Sequence, residues 1–126
     1  MVNYQGRSKR IITGKKFHPH SAKDKTRFGR DAIETKIGET KKKIVRVRGA
    51  NIKIKAYATN YVNVSFPKEK KTERVKIIAL EENAASVDLK RRAILTLGAV
   101  VKTEKGRVKI TSRPGQIGQV NGILLE

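Results

Sequence analysis

The 126-residue chain has no cysteine and no tryptophan. Without thiols it can form no disulfide, no thiolate zinc site and no cysteine nucleophile. No apolar run approaches the ~18 residues of a membrane-spanning helix, and no basic amphipathic helix is present, so a membrane role is set aside. The amino terminus lacks the apolar stretch of a secretory signal, so a cytoplasmic protein is expected. Acidic residues are scarce as well, eleven against thirty Lys and Arg. Two of them, Glu81 and Glu82, are adjacent. On a strand neighbouring side chains point to opposite faces, so this pair is not expected to share a substrate. Neither a Ser-His-Asp order nor a Gly-x-Ser-x-Gly elbow occurs. The expectation is a protein that is not an enzyme, with no small-molecule substrate and no cofactor.

What is present is positive charge: a net +19 and a pI near 10.6. Self-repulsion of that size opposes folding unless a partner neutralises it. The charge is densest in residues 6–30, where Arg7, Lys9, Arg10, Lys15, Lys16, Lys23, Lys25, Arg27 and Arg30 accompany one acid, Asp24. Apolar side chains there follow neither a period of 3.6 nor one of 2. Gly6, Gly14, Pro19 and Gly29 interrupt any helix. Such a segment cannot offset an ordering entropy of roughly 1–2 kcal/mol per residue by burying a face of its own. It reads as a basic arm that folds against a polyanion, and nucleic acid is the polyanion expected. A tail serving solubility alone would gain more from Asp and Glu.

Within the arm, Thr13-Gly14-Lys15-Lys16 lacks the spacing of a nucleotide-triphosphate loop. Its glycine suits close approach of backbone to a phosphate. His18 and His20 flank Pro19, but no cysteine or carboxylate pair completes four ligands, so no metal site is assigned. Phe17 and Phe28 are candidates either for stacking on bases or for anchoring the arm.

From residue 41 the pattern becomes β. Lys41, Lys42 and Lys43 precede Ile44-Val45-Arg46-Val47-Arg48, and after Gly49-Ala50-Asn51 the run Ile52-Lys53-Ile54-Lys55-Ala56 alternates strictly. Period 2 predicts Ile52, Ile54 and Ala56 facing a core, with Lys53 and Lys55 outward. Those lysines, with Arg46, Arg48 and the lysine triplet, are expected to form a basic surface continuous with the arm. Residues 60–66 place Val62, Val64 and Phe66 inward, 67–72 make a polar turn, and 74–80 return as a strand. Residues 83–93 predict a helix capped by Asn83 or Ser86, with Asp88 in its first turns. Lys90, Arg91 and Arg92 crowd its end and cover more than one face, so at least one is expected to be free for a phosphate. Residues 99–104 and 107–111 flank a hairpin turn at Lys105-Gly106. Arg113-Pro114-Gly115-Gln116 suits a type II turn, and 118–125 supply a last strand. The fold expected is mainly β: a small six-stranded β-barrel with one short helix and a basic, extended N-terminal arm. The domains expected are residues 1–40 as an RNA-binding extension and 41–126 as the barrel.

The sequence resembles an archaeal member of the S-eight-e family of small-subunit ribosomal proteins, over nearly its whole length. The match rests on Tyr4-Gln5-Gly6-Arg7-Ser8, Thr13-Gly14, Arg48-Gly49-Ala50-Asn51 with Lys53, Glu82-Asn83, Arg91-Arg92, residues 94–98, Thr103-Glu104 and Gly106. Most specific is Thr111-Ser112-Arg113-Pro114-Gly115-Gln116, followed by Gly118 and Val120-Asn121. Ala50 stands where the family usually repeats glycine, and Ala93 where asparagine is usual. The resemblance implies a β-barrel with an amino-terminal extension threaded into small-subunit ribosomal RNA. It also implies neighbouring small-subunit ribosomal proteins as partners, a place in the cytoplasmic ribosome, and no catalysis. A DNA-binding or chromatin-coating protein is the alternative, since phosphate contacts alone do not distinguish the two nucleic acids.

Overall fold

The computed structural model describes residues 4–18 and 24–125. Contacts divide the chain into two units, Met1–Ala32 and Ile33–Glu126. The second begins before residue 41 because β1 (Thr35–Ile37) and Thr35 itself are built into it: the Thr35 hydroxyl donates to the Ala56 carbonyl at 2.8 Å and the residue is buried.

The second unit holds two sheets. β4 (Tyr61–Phe66), β5 (Lys71–Glu82), β7 (Val100–Thr103), β8 (Gly106–Ile110) and β9 (Asn121–Leu124) form a closed barrel in the order β4-β5-β7-β8-β9. β2 (Lys41–Arg46), β3 (Ile52–Thr59), β1 and β6 (Ile94–Leu95) form a separate sheet in the order β2-β3-β1-β6. The barrel wall therefore has five strands, and β2, with three lysines in six residues, lies outside it.

Alternation decides the core. Val62 and Val64 on β4, Val75 and Ile77 on β5, Val101 on β7, and Val108 and Ile110 on β8 point inward, with Leu95, Ala99 and Val120 completing the cluster. Each of the Val, Leu and Ile side chains contributes roughly 1.5–3 kcal/mol on burial. Closure comes from a parallel pairing of β4 with β9, Asn63 with Asn121 and Val64 with Gly122. A Cβ on Gly122 would lie 2.4 Å from Val108 Cγ1 and 2.8 Å from the Lys109 carbonyl oxygen. Only a residue without a side chain lets β9 fit there.

Three expectations need correction. Ile52 and Ile54 do not face a core: they are 66% and 45% exposed. Their half of β3 pairs with β2 outside the barrel wall, and burial on this strand begins only at Ala56. Second, Arg113-Pro114-Gly115-Gln116 is not a type II turn but enters the short helix α2 (Pro114–Ile117), with proline in its first turn. The left-handed residue is Gly118 (φ 78°), where a side chain would also strike Ile54. Ser112 staples this loop, donating to the Gln119 carbonyl at 3.0 Å and accepting the Asn121 N–H at 2.9 Å.

Third, the helix is shorter than 83–93: α1 spans Val87–Arg91, and Ser86 is its cap, accepting from the Asp88 N–H. Asn83 is instead buried outside it. Its amide donates to the Ile94 carbonyl at 2.9 Å and accepts from the Ala85 N–H and the Thr96 hydroxyl, each at 3.0 Å. The Lys105-Gly106 hairpin forms as expected, with Gly106 at φ 129°.

Candidate nucleic-acid interface

In the first unit no described residue is buried. Two local closures shape it instead. Tyr4 and Phe28 form an antiparallel bridge, their rings edge-on with centroids 5.8 Å apart, and the Gln5 N–H donates to the Arg27 carbonyl at 2.8 Å. A second turn pairs Arg10 with Lys16: Ile11 N–H donates to the Lys15 carbonyl at 3.0 Å and Phe17 N–H to the Lys9 carbonyl at 2.7 Å. The Arg10 guanidinium caps the Gly14 carbonyl at 2.9 Å, and the Arg7 guanidinium lies 4.3 Å from the centre of the Phe17 ring. Phe17 and Phe28 thus close the unit on itself.

Asp24, the one acid of the 6–30 stretch, caps the short 3-10 turn Lys25–Arg27. Hydrogen bonds from the Thr26 side chain and backbone hold its carboxyl below the ordinary value, with Arg27 adding to the effect. Arg7, Lys9, Arg10, Lys15, Lys16, Lys25, Arg27 and Arg30 are all exposed. Lys23 and His20 lie outside the described residues.

On the second sheet the register sorts the charges. Lys43 stands directly opposite Lys55, and Val45 opposite Lys53, so Lys43, Lys53 and Lys55 share one face. Lys42, Ile44 and Arg46 share the other, with Ile44 paired to Ile54 and Arg46 to Ile52. Like charges directly opposite on neighbouring strands repel. Lys53 donates to the Gln116 side-chain oxygen at 3.2 Å. Among the described residues Lys41, Lys43 and Lys55 meet no carboxylate. Arg48 lies in the β2–β3 turn, where its carbonyl accepts from the Asn51 side chain at 3.2 Å.

The three bases at the end of α1 separate. Arg92 is bound to Glu34 and, at 3.3 Å, to Asp88; these partners, Glu34 first, raise its pKa. Lys90 and Arg91 are exposed and make no ion pair among the described residues. Arg113, at the cap of α2, is exposed too. Glu81 and Glu82 converge after all, on Arg107 at 2.6 and 3.6 Å. The register irregularity between Leu80 and Glu82 breaks the alternation that would have separated them.

One pair was not foreseen. The Arg74 guanidinium lies 4.2 Å from the centre of the Tyr61 ring on the outer wall of the barrel. Nothing local in the sequence marks it, because the β4–β5 register brings the two residues together. No group of three or more His, Cys, Asp or Glu that could hold a metal occurs among the described residues. No helix among them is long and apolar enough to cross a membrane.

Residues 4–125, which carry both the basic first unit and the barrel, match the model of the family described as ribosomal protein S8e. The chain belongs to the ribosomal protein S8e family. Relatives agree along the full length. The small ribosomal subunit protein eS8 of Nanoarchaeum equitans is 48% identical over 124 residues, 98% of this chain and 97% of that one. The proteins of the same name from Methanoculleus marisnigri and Methanococcus vannielii are 44% and 45% identical, over 98–99% of each chain. Two alanines have an unusual backbone geometry. Ala50 (φ 59°) and Ala93 (φ 52°) both occupy the left-handed region. Glycine and asparagine are the residues that fit there with least strain.

Proposed function

We propose that this S8e-family chain is a structural constituent of the small ribosomal subunit. It holds ribosomal RNA through its exposed basic first unit, through the lysine face of β2 and β3, and through Lys90, Arg91 and Arg113, with neighbouring subunit proteins as further partners. The observation that carries the reading is the Lys43–Lys55 pair with Lys53 beside it. A fold that sets lysines directly opposite each other without a carboxylate incurs repulsion that a polyanion would relieve. The names of the curated relatives give the polyanion its class. RNA fits better than DNA where an irregular single-stranded or looped target must be matched by side chains on a short, coreless unit.

Competition between a small-subunit ribosomal RNA fragment and a DNA duplex of equal charge at matched salt tests the class. Ribosomal RNA should win clearly; equal competition would transfer the reading to a DNA-coating protein. Lys55→Glu tests the mechanism, because its two effects have opposite signs. The free protein should become more stable by roughly 0.2–1 kcal/mol as the cross-strand repulsion becomes attraction. Binding to ribosomal RNA should weaken at the same time. Loss of stability together with unchanged binding would refute the role given to this face.

A further inference from the structure

Beside the Arg74–Tyr61 pair lies a pocket of about 180 Å³, lined among others by Thr40, Lys42, Tyr61, Asn63, Arg74 and Gln119. Its lining includes two cations and no carboxylate. Among the described residues neither Lys42 nor Arg74 takes part in an ion pair. The volume falls below the ~300–1,000 Å³ of sites that enclose a whole drug-sized ligand or cofactor. It suits one base with part of its sugar.

The register builds the pocket. Asn63 stands opposite Arg74 on the neighbouring strand, and Tyr61 lies two residues away on the same outward face. The ring holds the guanidinium in place as a flat cation. The Asn63 amide nitrogen is fixed by Asn121 Oδ1 at 2.9 Å, which leaves Asn63 Oδ1 to accept from a base edge. Nucleobases stack on guanidinium planes and aromatic rings, and lysine pairs with phosphate. A duplex cannot present a lone base to such a recess.

We propose that this pocket receives a single unstacked nucleotide of the bound RNA, its base against Arg74 and Tyr61 and its phosphate toward Lys42. The inference rests on the RNA-binding reading above and adds a specific contact to a charge-based one.

The test uses the full chain, isotopically labelled, titrated with adenosine monophosphate in one arm and inorganic phosphate in the other. The nucleotide should move the side-chain amide signals of Asn63 and Gln119 and the ring signals of Tyr61, and phosphate alone should move them far less. Arg74→Lys keeps the charge but removes the plane, and should erase the difference between the two arms. Binding of an RNA fragment with an unpaired loop should then weaken at least ~5-fold, and that of a blunt RNA duplex should not change. Equal shifts from both ligands would reduce the pocket to a bare anion site, and no shift from the nucleotide would remove it. If wild-type protein failed to bind ribosomal RNA, the proposed function would fall, while the titration would still decide the pocket.

Discussion

The two units carry positive charge on opposite kinds of support. In Met1–Ala32 the bases stand on a chain with no buried residue among those described, closed by two aromatic contacts and a few backbone hydrogen bonds. In Ile33–Glu126 they stand on strands whose other members bury a ten-residue core, and no buried side-chain polar atom among the described residues lacks a partner. The lesson concerns where ordering free energy comes from. A side chain on the barrel is positioned before any ligand arrives. A side chain on the first unit is positioned by weak local contacts, so under the proposed function the RNA would supply much of its ordering.

The largest effect expected from this contrast is in RNA binding. If ~6–10 phosphates are neutralised, affinity should fall by about 10³–10⁵ between 50 and 200 mM salt, on the duplex-DNA scale. Removing residues 1–30 takes away nine bases and one acid, eight of the nineteen net charges. The salt slope should become shallower, and preference for cognate over scrambled RNA should drop. The circular dichroism and melting of the barrel should stay, because no core residue is lost. Unchanged preference for cognate RNA after truncation would make the first unit a solubilising tail and the barrel the reader.

A smaller effect separates the units in stability. Gly122→Ala places a methyl against Val108 and the Lys109 carbonyl at the seam where β4 meets β9. We expect a loss of roughly 1–3 kcal/mol by urea denaturation. Gly14→Ala has open space around its Cβ and only its positive φ against it, so it should leave the melting of the barrel unmoved. If Gly122→Ala left the barrel as stable as before, closure would not depend on that contact.

The smallest effects concern the two left-handed alanines. Ala50→Gly and Ala93→Asn each relieve a left-handed alanine. Each should stabilise the protein by up to ~1 kcal/mol, read as a higher denaturation midpoint at unchanged slope. Destabilisation by either change would mean that the alanine methyl makes a contact worth more than the strain.

Much of the barrel was legible in the chain because a strand with one buried face writes its period into the sequence. Val62 and Val64, Val75 and Ile77, Val108 and Ile110 alternate with polar neighbours, and all are buried. The same rule failed at Ile52 and Ile54, since alternation states which residues share a face but not whether anything covers it. The proline of Arg113-Pro114 is as good at the start of a helix as in a turn, and the Ser112 staple across the loop decided for the helix.

Composition and order alone determined that this protein is basic throughout, lacks thiol chemistry, has a coreless amino end and folds its remainder mainly as strands, because charge, reactivity and periodicity are local properties. Tertiary structure alone decided which strands close the barrel, that Lys43 opposes Lys55, that Arg92 is neutralised while Arg91 is not, and that Arg74 lies on Tyr61. The Lys43–Lys55, Arg74–Tyr61 and Arg92–Glu34 pairings join residues between twelve and fifty-eight positions apart. Contacts at that range are set by strand register and sheet order, which no short stretch of sequence encodes.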